Sequence, residues 1–267
     1  MSHSLSTWGY AVPLAQRASL APLFSGISHT YILDGVLEGL IGEARAAGEP
    51  DLPSGYAAFA DVFYIGGNAD CLEARDLVSR IPFFKALFLA PNSSWLALIG
   101  EAWGEHLVEI ERYTFPRPTF DVVRLRRLVS SLPEGFRLAP IDMPLAQRII
   151  SAQEVPILED HLRQFGSVAA FMQHGFGFCV LERDEIVALI STYAVSRTGV
   201  EIQISTHPDY RRRGLATVLG ATFILHCLER GLDPHWDAAN EASCRLAEKL
   251  GYAGYTPYPV WLLVDEE

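Results

Sequence analysis

The chain has 267 residues, a formal net charge of −11, 49% hydrophobic and 20% charged residues. That length allows one large domain or two small ones with a substantial core, and the composition excludes a disordered chain. The acidic balance argues against a general nucleic-acid binder, whose affinity would come from a basic surface.

Basic residues are nearly all arginine; neither lysine, Lys85 or Lys249, follows a glycine loop, which excludes a Walker-type phosphate loop. Cys71, Cys179, Cys227 and Cys244 form no C-x-x-C pair and no zinc spacing, so reduced thiols and no metal are expected. No basic segment followed by an apolar one opens the chain. The longest apolar-rich stretch, "GLATVLGATFILHCL" from Gly214, is shorter than the ~18–20 residues that span a bilayer. A cytoplasmic protein with no membrane partner is the expectation.

In chain order, "YILDGVLEGLIGEA" from Tyr31 has apolar residues at helical spacing and predicts a helix. "YAAFADVFYIGG" reads as β-like, with Gly66-Gly67 as a turn, and "SWLALIGEAWG" suits either strand or helix. "HLVEIERYTF" reads as a strand. Prolines 116, 118, 133, 140 and 144 surround "VVRLRRLVSSL", whose Val122, Leu125, Leu128, Val129 and Leu132 predict a connecting helix. "PEGF" then breaks it, placing a boundary near Pro133 and domains at 1–133 and 134–267. No internal repeat is visible.

"MPLAQRIISAQEV" and "LEDHLRQFGSVAAFMQHG" predict two helices, and "FGFCVLERDEIVALISTYAV" a hairpin turning at "ERDE". "GVEIQIST" is a strand. "RRRGLATVLGATFILHCLERG" is a helix ended by Gly231, "PHWDAAN" a short strand, "EASCRLAEKLG" a helix ended by Gly251, and "YPVWLLV" a last strand. This order predicts a mixed α/β fold of α+β character. Glu159, Asp160 and His161 are carboxylates and an imidazole in one run, but without a distant ligand they read as a solvated helix face.

The stretch "THPDYRRRGLAT" joins a strand directly to a long apolar helix. Exposed N–H groups and the macrodipole make such a helix start attractive to phosphate. Gly214 lets backbone approach a ligand with no Cβ in the way, Ala216 is the next smallest choice, and arginines add charge-assisted contacts. Downstream, Asn240 stands where it can cap "EASCRLAEKLG", with Ser243 three residues on.

Together these two elements resemble the GNAT superfamily of acyl-CoA-dependent N-acyltransferases. "RRRGLA" is similar to its R/Q-x-x-G-x-G/A pyrophosphate loop, and Asn240, Ser243, Leu250, Gly251 and Tyr252 match its final helix. The resemblance covers about residues 134 to 264. It is closest to a branch, including the zwittermicin-resistance acetyltransferase, that pairs a GNAT domain with a divergent N-terminal half, and it implies a degenerate GNAT-like unit there.

What the resemblance implies is acetyl-CoA with its pyrophosphate at Arg211, Arg212, Arg213, Gly214, Leu215, Ala216 and Thr217. Its pantetheine would run beside the strand at Ile204, Ser205 and Thr206, with Asn240 and Ser243 across from it. A small-molecule amine would attack the thioester in a ternary complex, and a strand N–H near Ile204 to Thr206 would stabilise the oxyanion. An amine of pKa near ~10 is about one part in a thousand neutral at pH 7, so a base helps, and Glu201 is the candidate. His207 reads as a loop residue. Many members place a tyrosine seven residues after the asparagine; here that is Ala247, which leaves Tyr252, Tyr255 or water as acid. The departure also motivates a second reading, a non-catalytic acyl-CoA sensor. A nucleic-acid module using the arginines ranks last.

Overall fold

The computed structural model describes residues 10–27, 30–48, 53–81, 87–90, 92–152, 157–158 and 161–264. The chain divides into two units, residues 1–111 with 259–267, and residues 112–258.

The first unit holds β1 (Tyr10–Ala11), α1 (Tyr31–Leu37), β2 (Glu43–Ala47), β3 (Ser54–Phe59), β4 (Val62–Gly67), α2 (Leu72–Ser79), β5 (Leu87–Leu89), α3 (Ser93–Trp103) and the start of β6 (Leu107–Thr114). Strands β1 to β4 pair antiparallel in sequence order, and β5 joins β4 in parallel. The helix expected from Tyr31 to Ala44 stops at Leu37. Gly39 and Gly42 take φ of +74° and +61° and turn the chain into β2. At Gly42 a Cβ would meet the Ala58 carbonyl oxygen at 2.1 Å, so periodicity yields there to a close approach only glycine allows. Gly66 and Gly67 are the end of β4 rather than a turn. "SWLALIGEAWG" is helix α3, capped by Asn92, whose side chain accepts from Trp95 N at 3.1 Å. Trp95 is fully buried beside Phe88 and Ile65, and its indole N–H donates to Gly67 O at 2.9 Å.

The second unit contains α4 (Val122–Val129), β7 (Phe136–Pro140), α5 (Met143–Ser151), α6 (Val168–His174), β8 (Gly177–Glu182), β9 (Glu185–Val195), β10 (Gly199–Thr206), α7 (Leu215–Glu229), β11 (Asp233–His235), β12 (Asp237–Ala238), α8 (Glu241–Leu250) and the start of β13 (Thr256–Leu263). Its five-stranded sheet runs β11-β10-β9-β8-β7. The four strands β7 to β10 are antiparallel and β11 is parallel to β10. Helix α7 is apolar around most of its circumference because it is buried over most of its length, with Val218, Leu219, Phe223 and Ile224 all within 1% exposure.

The division between units falls earlier than the boundary expected at Pro133. The apolar stripe of α4 needs a partner, and Leu125 finds one in the core shared with Ala221, Ile224 and Leu250. Arg124 Nη2 also donates to Lys249 O at 2.8 Å, so α4 belongs to the second unit. "LEDHLRQFGSVAAFMQHG" is not one helix. Gly166 at φ +74° breaks it, and Ser167 caps the short α6. Glu159 and Asp160 lie outside the described residues.

Candidate active site

The reading of "PHWDAAN" as one strand misses what makes the site. β11 pairs with β10 only at Gly199, Val200 and Glu201. The chain then turns at Trp236, and β12 pairs instead with Tyr113 and Thr114. Two strands that begin as neighbours therefore separate, and from Ile202 onward the β11 side of β10 borders a cleft of about 550 Å³. A register shift between Glu201 and Ile202 marks the point of separation. His207 N donates to Val187 O of β9 at 2.9 Å. Alternation along a strand therefore turns the N–H groups of Ile204 and Thr206 toward the cleft, while that of Ser205 faces β9. Ser205 also lines the cleft, as do Asn240, Ser243 and Leu246 on the opposite wall.

A second hollow of about 460 Å³ lies over the start of α7 and shares Thr206, Arg211, Ala216, Ala242 and Leu246 with the first. Arg212, Gly214, Leu215 and Thr217 line it, together with Lys249. Arg212 and Gly214 both have left-handed φ, +61° and +82°, which curls the loop and gathers its N–H groups. No side chain caps α7 and its first turn carries no acid, whereas α8 is capped by Asn240 Oδ1, accepting from Ser243 N at 3.0 Å. Arg213 does not line the hollow. It lies over the Tyr210 ring at 4.8 Å and donates to Asp209 O at 3.0 Å, and Tyr210 OH donates to Glu182 Oε2 at 2.8 Å, so Arg213 braces the loop from outside. His207 accepts from Asp209 N at 3.3 Å and starts the same turn. This contiguous surface is an open strand edge leading to an uncapped, cationic helix start, which suits an extended ligand with an anionic group at one end.

Glu201 is 4% exposed rather than solvated. Its Oε2 lies 2.8 Å from His235 Nδ1, and His235 Nε2 is 3.1 Å from Thr114 Oγ1. Burial would lower the His235 pKa, but the Glu201 carboxylate outweighs it and raises it to about 9. The pair is therefore an imidazolium and a carboxylate at neutral pH. Beside it Asp237, on the cleft wall, accepts from Arg112 Nε at 2.5 Å and from the Tyr258 hydroxyl. Burial pushes the Asp237 carboxyl up, against the pull of Arg112.

Tyr252 is not brought to the cleft. It is 2% exposed among Phe115, Phe120 and Trp236, its hydroxyl donates to Pro234 O, and burial raises its pKa well above the usual phenol value. An assignment as acid fails on access, because a phenol buried and committed to a carbonyl delivers no proton to a ligand. Ser243 Oγ accepts from Trp236 Nε1 at 3.0 Å, which fixes that side chain on the wall. Among the described residues no group of three His, Cys, Asp or Glu side chains is placed to hold a metal, and no helix is long and apolar enough to cross a membrane.

Residues 21–261 match the family model described as GNAT acetyltransferase. The chain belongs to that family. As a GNAT acetyltransferase it is an acyltransferase, and the family takes acetyl-CoA as its donor. It is 33% identical over 208 residues to YdfB of Bacillus subtilis, called an uncharacterized N-acetyltransferase, covering 75% of this chain and 77% of that one. A GCN5-related N-acetyltransferase-like protein from Streptococcus suis superposes with a TM-score of 0.81 at 31% identity, over 94% of this chain and 99% of its own. A GCN5-related N-acetyltransferase from Kribbella flavida shares the fold, with a TM-score of 0.52 at 13% identity over 85% of this chain and 90% of its own. In this GNAT acetyltransferase Ala247, seven residues after Asn240, is fully buried in the core it shares with Leu125 and Phe115.

Sequence reasoning missed Lys249, Arg112, His161, His235 and Asp237. Lys249 had a signal: Ala242, Leu246 and Lys249 fall on one helical stripe, and all three line the hollow. The others had none, since Arg112, His161 and the stretch holding His235 and Asp237 come from different segments of the fold.

Proposed function

We propose that the protein transfers the acetyl group of acetyl-CoA to a primary amine of a small molecule by direct attack in a ternary complex. The observation that carries this reading is the continuity of the open β10 edge with the uncapped start of α7. Acetyl-CoA supplies an activated thioester at one end of an extended arm and a pyrophosphate at the other. The N–H groups of Leu215, Ala216 and Thr217, with Arg211, Arg212 and Lys249, would hold the pyrophosphate. Ile204 and Thr206 would pair with the arm through backbone, while Asn240 and Ser243 border it from α8.

At the inner end of the cleft, Ile204 N–H faces the carbonyl oxygen that gains negative charge. Glu201 is buried where β10 and β11 part and is not part of the cleft lining, so it would act on the acceptor's proton only through intervening water. An ion-paired carboxylate is a weaker base than a free one, so its contribution belongs at the lower end of the range for general bases, about 10²-fold. The CoA thiolate leaves without Tyr252 and takes its proton from solvent.

Calorimetric titration with acetyl-CoA, followed by thiol release on a panel of primary amines, tests this. Binding near micromolar affinity and amine-dependent thiol release are expected. No binding at millimolar acetyl-CoA would sink the proposal. Glu201→Gln should keep donor affinity and lower kcat; normal turnover removes Glu201 from the base role.

A further inference from the structure

His161 is 1% exposed and belongs to no part of the mechanism above. Its Nδ1 lies 2.7 Å from Ser191 Oγ and its Nε2 lies 3.0 Å from Ser205 Oγ. The arrangement follows from the sheet. Ser191 pairs with Gln203 across β9 and β10, so Ser191 and Ser205 project from the same face as diagonal neighbours. His161 N donates to Leu158 O at 3.1 Å, which holds the ring over that face. Ser191 is fully buried, whereas Ser205 borders the cleft.

Burial drives the His161 pKa down to about 3, so the ring is neutral and carries one proton. The hydroxyl of Ser191 decides where that proton sits. Among the described residues its only polar partner is His161 Nδ1. A buried O–H left without an acceptor is costly, so the Ser191 hydroxyl donates to Nδ1. The imidazole proton is then on Nε2 and donates to Ser205 Oγ. With an oxygen lone pair engaged from below, the Ser205 O–H has the cleft as its direction.

We infer that the Ser205 hydroxyl donates a hydrogen bond to the thioester carbonyl oxygen beside Ile204 N–H, and that His161, oriented by Ser191, is the positioning residue that aims it. This rests on the donor site proposed above. No proton is transferred: the hydroxyl stabilises charge as it develops, joining a backbone donor with one from a side chain.

The first test needs no acceptor. Infrared difference spectra of carbonyl-labelled ¹³C-acetyl-CoA bound to the whole protein should show the thioester band at lower frequency in wild type than in Ser205→Ala, with His161→Phe shifted toward the Ser205→Ala position. Ser205→Thr, which keeps the hydroxyl, should retain most of the wild-type shift. In turnover with the best amine of the panel, Ser205→Ala should lower kcat about 10- to 100-fold with KM for acetyl-CoA within about twofold. In the Ser205→Ala background, His161→Phe should cost no further kcat, because its effect runs through the lost hydroxyl. Two-bond ¹⁵N–¹H spectra of wild type should place the His161 proton on Nε2.

A band at the same frequency in wild type and Ser205→Ala, or an unchanged kcat, overturns the inference. Additive losses from the two substitutions, or a proton on Nδ1, remove His161 from the role. Should acetyl-CoA fail to bind wild type at all, the donor site itself is refuted, an outcome that calorimetry separates from the others.

Discussion

The two units of the chain share a connectivity that their sequences conceal. In each, four antiparallel strands in order are followed by a helix, a strand parallel to the fourth, and another helix: β1 to β5 with α2 and α3 in one, β7 to β11 with α7 and α8 in the other. The last helix of each set is capped by an asparagine, Asn92 and Asn240, whose side chain accepts from the residue three further on. That residue separates the units. In the second it is Ser243, small and on the wall of an open cleft. In the first it is Trp95, whose indole fills the core and donates to the end of β4. The helix starts differ too. α7 is preceded by three arginines and a left-handed glycine and has no acid in its first turn, while α2 is preceded by Asp70 and carries Glu73. One topology thus carries an uncapped, arginine-lined helix start beside an open cleft in one unit and a packed core in the other. Among its described residues the first unit lacks the cationic, acid-free helix start that the second has.

Substitution of Trp95 gives the largest expected effect. Trp95→Ala should destabilise the protein by about 3–5 kcal/mol in denaturant titration, through the cavity it leaves. Donor affinity of the folded protein should stay unchanged; a parallel loss of acetyl-CoA binding would break the comparison. Gly214→Val acts on the other unit. A β-branched residue at φ +82° is strained, and its side chain enters the hollow, since no protein atom lies within 4 Å of where its Cβ would stand. Acetyl-CoA affinity should fall at least ~30-fold by calorimetry, about 2 kcal/mol.

Charge offers a finer cut. Arg212→Glu should weaken acetyl-CoA about tenfold, less at high salt, while Asp70→Arg at the start of α2 should create no second binding event. Lys249→Ala should cost about threefold, since an exposed lysine contributes as a screened point charge. The smallest expected effect is a pH trend. The folded His235 pKa is raised to about 9 from 6.5, so the Glu201–His235 pair stabilises the protein fully below pH 6.5 and progressively less up to pH 9. His235→Asn should flatten that decline in thermal melts; an unchanged slope would place the titration elsewhere.

Much of the second unit was legible because its signals are local. The hairpin turning at Arg183-Asp184, the glycines 231 and 251 that end α7 and α8, and the asparagine cap each depend on a few neighbouring residues. The first unit was less so. The helix from Tyr31 was overrun because apolar spacing continues past Leu37; Gly39 at φ +74° ends it, and Gly42, packed against Ala58 O, turns the chain into β2. Tyr252 shows the opposite failure. A tyrosine near the final helix has the right chemistry for an acid, yet burial against Phe115 and Trp236 commits it to the core.

The sequence by itself determined the loop, the cap and the resemblance to the family, because a helix start and its cap are built from residues adjacent in the chain. Only the tertiary structure decided which strand edge stays open. That depends on β11 leaving β10 at Trp236, on Trp95 closing the corresponding place in the first unit, and on His161 reaching Ser205, Glu201 reaching His235 and Arg112 reaching Asp237 from separate segments. Those are long-range contacts whose partners no local pattern specifies, since burial and strand register, rather than spacing in the chain, bring them together.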